Sequence, residues 1–281
     1  MTELKLDSGS IDPIQLRTYE AITRVATERQ VPFIIVGASA RDLVMHHGYG
    51  ASVQRATRDI DLAIQVPDWE GFDSIRESLI EEGYTKTDIP HRLYDSQGIP
   101  LDIIPFGPLK DTDSKIAWPP DGDVKMVVMG FQEALENAVW VIVDRDPALK
   151  LPVASPQGLA LLKLIAWFER DAQTRKKDAA DLAYLATNYE NIPGLLEQLY
   201  LQHDTVLEAY DWDTRLCGAH VFGLEIAQVA SASTLAFLKG ILDEDRLADM
   251  ERDGGLLGED ASMGVLAAFR AGLVSIVKDL V

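Results

Sequence analysis

The chain has 281 residues, with 26 Lys and Arg against 45 Asp and Glu, a formal net charge of −19. Hydrophobic residues make up 47% and charged residues 25%, which is typical of a folded globular protein and excludes disorder of the whole chain. The excess of acid argues against a protein that coats duplex nucleic acid, because such binding depends on clustered Lys and Arg. Any contact with nucleic acid must therefore be local.

The composition also indicates a compartment. The single cysteine, Cys217, excludes an intramolecular disulfide framework and thiolate-rich metal sites. The first ten residues lack the apolar region of a secretory signal. The longest apolar stretch, residues 159–168, is interrupted by Lys163 and is about half of the roughly 20 residues that cross a bilayer. We expect a cytoplasmic protein with no membrane span.

The first half of the chain alternates between helical and strand patterns. Asp12 and Pro13 predict the capped start of a helix that ends near Gln30, and Asp68 caps a second helix that ends before Gly83. Residues 39–47 look helical, and residues 108–123, rich in Pro, Asp and Gly, predict a loop or lid rather than a packed element. Strands are predicted over 31–36, 58–66, 91–95, 99–106, 124–129 and 139–143, the third and fourth as a hairpin.

The second half of the chain has almost wholly helical periodicity. Amphipathic helices are predicted over 156–170, 178–189, 193–201, 213–230, 232–250 and 261–279. The expected fold class is therefore α+β. The expected division is an α/β domain over 1–150 and an all-helical domain over 151–281.

Three aspartates lie in strand patterns. Side chains alternate between the faces of a strand, so Asp59 and Asp61 point to one side while Ile60 points to the other. Asp102 lies in a separate apolar strand, where an acid needs a partner. If the two strands are neighbours, three carboxylates converge, and they stay ionised only around a positive charge. All-oxygen ligands select hard cations, so Mg²⁺ or Mn²⁺ and phosphate chemistry are predicted.

A turn upstream of these acids is suited to an anion. Gly37 lets the backbone approach a ligand closely. Ser39 begins the next helical segment, where free N–H groups favour negative charge. The sequence therefore predicts that a triphosphate rests beside the acidic strand.

These motifs, in this order, resemble the nucleotidyltransferase signature of the DNA polymerase β superfamily. The elements of the signature are Gly37-Ala38-Ser39, Asp59-Ile60-Asp61 and a later lone Asp102. Within that superfamily the sequence is similar to the AbiEii-type toxins of type IV toxin–antitoxin systems, through Arg58 to Leu62, Leu101 to Phe106, Lys163 to Arg170 and Lys177 to Leu182. The likeness covers roughly residues 30–190. Ala38 departs from the family pattern, in which a second Gly or a Ser is common.

The resemblance implies transfer of a nucleoside monophosphate from an NTP to an acceptor hydroxyl. It implies a nucleotidyltransferase-like mixed sheet with flanking helices and a helical bundle that completes the cleft. Asp59 and Asp61 would hold two metals, and Asp102 would share the metal that lowers the pKa of the acceptor hydroxyl and take its proton. The residues implied to bind the nucleotide are Gly37, Ser39, Arg41, Lys163 and Asp178.

Several of these residues have a second interpretation. Asp178 also fits a helix cap, and Lys163 also fits an extended side chain that reaches solvent. Trp118 fits packing in a core or stacking on a base. The run from Arg175 to Lys177 fits a charged loop or a local landing site for a triphosphate or an RNA end.

The sequence leaves three candidate functions open. The first is a toxin-like enzyme that modifies RNA, with tRNA ends as the candidate acceptor and a cognate antitoxin as a partner. The second is a transferase that acts on a small hydroxylated molecule or a protein side chain, which suits the acidic surface. The third is a non-catalytic NTP-binding module with the same fold, against which the presence of all three acids argues.

Overall fold

A computed structural model of the protein describes residues 2–53, 58–241, 244–255 and 261–279. The chain is α+β, as predicted. It divides into a sheet unit, Met1–Gly48 with Ser52–Ser155, and a helical unit, Tyr49–Ala51 with Pro156–Val281.

The sheet unit interleaves strands and helices. In chain order it contains β1 Glu3–Asp7, α1 Pro13–Glu28, β2 Phe33–Val36, α2 Gly37–Arg41, a π-helical segment Asp42–Gly48, β3 Ile60–Gln65, α3 Trp69–Glu81, β4 Thr85–Lys86, β5 Arg92–Tyr94, β6 Pro100–Phe106, β7 Lys115–Ala117, β8 Lys125–Val127, α4 Phe131–Glu136, β9 Val139–Asp144 and β10 Leu149–Val153. Of these, β1, β4, β7, α4 and β10 have no counterpart in the sequence prediction, and the predicted domain boundary at 150 lies within β10.

A mixed sheet forms the frame of this unit. Its strand order is β1-β9-β10-β2-β3-β6-β5-β4. The pairing of β3 with β6 is parallel, while β2 with β3 and β5 with β6 are antiparallel. The latter is the hairpin predicted around Gln97 and Gly98. Every residue of β2 is buried, and β3 is buried except at Asp61 and Gln65, so the core lies around these central strands.

The helix starts agree with the capping signals. Asp12 accepts a hydrogen bond from the Ile14 amide at 2.8 Å, with Pro13 at the first helical position. Asp68 accepts one from the Gly71 amide at 2.9 Å. In each case a side chain satisfies a backbone donor that the helix itself leaves free.

The prediction of an unpacked lid over 108–123 is wrong. Strand β7 lies in this segment and pairs with β8 in a separate two-stranded sheet. Trp118 is 4% exposed, and its ring lies 5.2 Å from Trp69 and 5.4 Å from His91, centroid to centroid. The polar composition conceals a short apolar pair, Ile116 and Trp118, that anchors the segment. Trp118 therefore packs in a core.

The described part of the helical unit consists of helices. They are α5 Pro156–Glu169, α6 Lys176–Asn188, α7 Leu195–Gln202, α8 Asp204–Ala209, α9 Thr214–Val229, α10 Ala232–Ile241, α11 Glu244–Gly255 and α12 Ala261–Asp279. The predicted helix over 232–250 falls on α10 and α11, and its positions 242 and 243 lie outside the described residues. Within the described ranges, no helix is long and apolar enough to cross a membrane.

Helices α9 and α12 meet through glycines. A Cβ atom built on Gly223 would lie 2.6 Å from the Leu273 amide nitrogen, and one on Gly272 would lie 2.9 Å from the His220 carbonyl carbon. Because the obstructing atoms are backbone, they have no rotamer by which to move aside. The crossing therefore depends on the absence of side chains at both positions.

Candidate active site

Asp61 and Asp102 occupy matching positions on neighbouring strands. They are Cα partners in the parallel pairing of β3 with β6. Partners in register project their side chains to the same face, and adjacent strands lie about 4.8 Å apart. Both residues are half-buried, while their strand neighbours Ile60 and Leu101 are buried. The sheet therefore brings these two predicted acids side by side.

Gly37 closes one side of this site. It has a φ of +66°, and a Cβ atom there would lie 2.7 Å from the Asp61 Cγ. The register explains the approach, because Val36 at the end of β2 is paired with Asp61. A side chain at position 37 would displace the carboxylate. Glycine is therefore needed both for the backbone conformation and for the space.

Ser39 and Arg41, both predicted to bind phosphate, are buried in the turn. Ser39 is 2% exposed, and its hydroxyl lies beside Tyr19 and donates to the Val36 carbonyl at 3.3 Å. Burial raises the pKa of Tyr19, so the Tyr19 hydroxyl stays protonated. Arg41 is also 2% exposed and contacts Asp42 at 2.8 Å. These contacts stabilise the turn from within.

Asp102 has an ion-pair partner that the sequence analysis missed. Arg92 donates from Nε to Asp102 Oδ1 at 2.7 Å and from Nη2 to Oδ2 at 2.6 Å. The hydrogen bonds with Asp102 raise the pKa of Arg92 further. The signal was present in the predicted hairpin, because Arg92 and Asp102 are equally far from Gln97 and so face each other across it.

The donor types suit a hard cation, but an assembled site is not formed. Asp59 directly precedes β3 and is exposed, and Asp61 and Asp102 are in register. These are the carboxylate oxygens that Mg²⁺ and Mn²⁺ prefer. Across the described residues, however, no group of three or more His, Cys, Asp or Glu side chains is arranged to hold a metal ion. Both Asp102 oxygens are engaged by Arg92.

A second cluster of charges, in the helical unit, links α5 to α6. Lys163 Nζ lies 3.1 Å from Asp178 and 2.7 Å from Asp181, and Arg170 lies 2.6 Å from Asp178. Burial lowers the pKa of Lys163, but the charges of Asp181 and Asp178 outweigh it, so the pKa is raised. Lys163 is therefore a cation in a buried network.

These contacts bear on the alternative interpretations. The start of α6 has no side-chain capping hydrogen bond, so Asp178 is not a helix cap. The ammonium of Lys163 is paired with carboxylates rather than extended into solvent. In the basic run, Arg175 pairs with Asp253 at 2.7 Å and lies over the Trp167 ring at 4.5 Å, which makes it part of the packing of this unit.

Several solved structures are similar to this chain, at low TM-scores. ANT(2″)-Ia in complex with adenylyl-2″-tobramycin is 15% identical, with a TM-score of 0.38 over 62% of this chain and 88% of that one. A nucleotidyltransferase-like protein from Paracoccidioides brasiliensis is 16% identical, with a TM-score of 0.34 over 68% and 92%. The Thermotoga maritima CCA-adding enzyme complexed with tRNA is 14% identical, with a TM-score of 0.27 over 95% and 82%.

No curated protein matches the chain. The family model of the nucleotidyl transferase AbiEii toxin, type IV toxin–antitoxin system, matches residues 24–260. This range contains Gly37, both acidic strands and the Lys163 network. The chain belongs to the AbiEii family of nucleotidyltransferase toxins.

Proposed function

We propose that this nucleotidyltransferase transfers a nucleoside monophosphate from an NTP to an acceptor hydroxyl and requires Mg²⁺ or Mn²⁺. The observation that carries the proposal is the register of Asp61 with Asp102 beside Gly37. Two acids on one face of a buried sheet repel each other, which is unfavourable unless a positive charge lies between or beside them. The glycine beside them leaves room for the Asp61 carboxylate.

The reaction is a displacement at phosphorus. The acceptor oxygen forms a bond to the α-phosphorus, the bond from that phosphorus to the bridging oxygen of the β-phosphate breaks, and pyrophosphate leaves with the electron pair. We assign the proton of the acceptor hydroxyl to the Asp102 carboxylate. Asp59, Asp61 and Asp102 would hold the cation, which supplies charge neutralisation and a lowered pKa of the hydroxyl.

The nucleotide contacts are part of the same proposal. Gly37 would let the backbone approach the phosphates, and Ser39 and Arg41 would act with it at this turn. Their buried hydrogen bonds and ion pair support a rigid turn. Lys163 and Asp178 keep their proposed nucleotide-binding role, in which Lys163 would supply the positive charge and the buried Asp178 would position it through their ion pair. The raised pKa of Lys163 supports a permanent positive charge there.

The proposed acceptor is an RNA end, with tRNA as the candidate, and the proposed partner is a cognate antitoxin. Membership of a type IV toxin–antitoxin family supports the antitoxin, and a nucleotidyltransferase needs an acceptor hydroxyl such as that of an RNA end. The net charge of −19 favours a second candidate, a small hydroxylated molecule or a protein side chain, because an acidic protein repels long RNA.

The test supplies labelled NTPs and Mg²⁺ with either total tRNA or a fraction of cell metabolites and proteins. Label that enters tRNA supports the first acceptor, and label confined to the other fraction supports the second. The variant Asp61→Asn should lose most of the transfer activity, while Asp88→Asn, which changes an exposed acid in the same unit, should match the wild type. Metal-dependent NTP binding without transfer to any acceptor would favour the non-catalytic module, and absence of that binding would contradict the proposed reaction.

A further inference from the structure

Three side chains form a row across three adjacent strands. Asp102 on β6 has Asp61 as its register partner on β3 and Arg92 as its register partner on β5. Register partners project to the same face of a sheet. Asp102 therefore lies between a like charge on one side and an opposite charge on the other.

The contact with Arg92 engages both oxygens of the Asp102 carboxylate. Each oxygen accepts one hydrogen bond, at 2.7 Å and 2.6 Å. The Arg92 and Asp102 side chains are 27% and 15% exposed, so water screens the pair only in part. Bidentate pairs of this type are stronger than single hydrogen bonds and fix the direction of the carboxylate.

The same carboxylate is required by the proposed cation site. A divalent cation held by Asp61 and Asp102 needs at least one Asp102 oxygen, and both are bound to a guanidinium. A cation and a guanidinium at one carboxylate also repel each other. The two partners of Asp102 therefore exclude each other, at least in part.

We propose that Arg92 is an internal competitor for the divalent cation: it holds Asp102 in the metal-free protein and releases it when the cation binds. This inference rests on the proposed function. In this role Arg92 is a positioning residue, because it acts through Asp102. It neutralises one of the two adjacent acids while the site is empty of cation, and it lowers the affinity of the site for that cation.

The test measures Mn²⁺ binding in the absence of nucleotide. The loss of the free Mn²⁺ signal in electron paramagnetic resonance gives the dissociation constant for the wild type, Arg92→Gln and Arg92→Lys. Removal of the competing pair should tighten Mn²⁺ binding about three- to tenfold in Arg92→Gln, the range expected for one partly exposed charge-assisted pair. Arg92→Lys keeps the charge without the fork and should give a smaller gain.

Two controls locate the effect. Arg24→Gln removes another bidentate arginine of the same unit, which pairs with Glu82, and should leave Mn²⁺ affinity unchanged. Combining Arg92→Gln with Asp61→Asn should abolish the gain, because the cation then lacks its second carboxylate. Thermal melting of each variant verifies that it is folded.

The outcomes separate this inference from the proposed function. Wild-type protein that binds Mn²⁺, together with Arg92→Gln that binds it equally or more weakly, overturns competition by Arg92 and leaves the cation-dependent reaction standing. Failure of every folded variant to bind Mn²⁺ overturns both. Tighter binding by Arg92→Gln supports the competition even if no acceptor is found.

Discussion

Replacing Gly37 by alanine tests whether the close approach of the turn to Asp61 matters. Alanine at a φ of +66° costs about 1 kcal/mol in backbone strain. Its Cβ would also lie 2.7 Å from the Asp61 Cγ, well inside van der Waals contact, and relieving such overpacking costs about 1 to 3 kcal/mol more. We therefore expect Gly37→Ala to lower the free energy of unfolding by about 2 to 4 kcal/mol.

A matched control separates the two contributions. Gly98 has a φ of +76°, and a Cβ atom placed on it would have no other atom within 4 Å, so Gly98→Ala carries the strain without the overlap. Urea denaturation followed by circular dichroism gives both losses, and Mn²⁺ binding reports on the Asp61 carboxylate. Equal losses for the two variants, with unchanged Mn²⁺ binding by Gly37→Ala, would refute the reasoning.

Three further predictions concern charges. Asp61→Asn should reduce nucleotidyl transfer more than about 100-fold, because the charge that stabilises the reaction is lost, with little change in melting temperature. The control Asp88→Asn should reduce neither the activity nor the melting temperature. Retained activity of Asp61→Asn would remove Asp61 from the site. Asp178→Asn should lower the free energy of unfolding by about 3 kcal/mol, measured by urea denaturation, because Lys163 and Arg170 lose a fully buried partner. The control Asp245→Asn changes an exposed acid and should leave the free energy of unfolding nearly unchanged. Burial lowers the pKa of His220 below its usual 6.5, so its contribution to stability is fully present above pH 6.5 and is lost as the pH falls below 6.5 through the lowered pKa. His220→Asn should therefore lose less stability than the wild type on acidification, and a steeper loss in the variant would contradict this role of His220.

Local signals in the sequence predicted much of the fold. The cap at Asp12, the cap at Asp68 and the turn at Gln97 each depend on neighbouring residues only, and each is present. The helices of the second half follow from their periodicity in the same way, except α8, which has no counterpart in the sequence prediction. Asp61 and Asp102 were also singled out as candidate cation ligands, because an acid in an apolar strand is conspicuous in sequence.

The elements that were missed depend on distant partners. Strand β1 alternates charged and apolar residues over a short run, and it forms by pairing with β9, far along the chain. Strand β10 contains Pro152, which obscures its strand pattern. Strand β7 lies in a polar segment and depends on β8 and the burial of Trp118.

The candidate site shows the same division between residues and their pairing. Residue types alone singled out the candidate acids, whereas the neighbour of each acid depends on strand order. Arg92 is unremarkable in sequence and becomes part of the site only through the register of β5 with β6. Lys163 and Asp178 were singled out as separate nucleotide ligands, but their mutual ion pair depends on how α5 packs on α6.

The glycine contact between α9 and α12 has a consequence for biosynthesis. Helix α12 is the last described element of the chain, and the face of α9 that contains Gly223 is covered only when α12 arrives. During translation domains generally fold as units from the N-terminus onward, so the sheet unit can fold before this crossing exists. A ribosome-bound or prematurely terminated chain would expose apolar surface of α9 to chaperones and proteases.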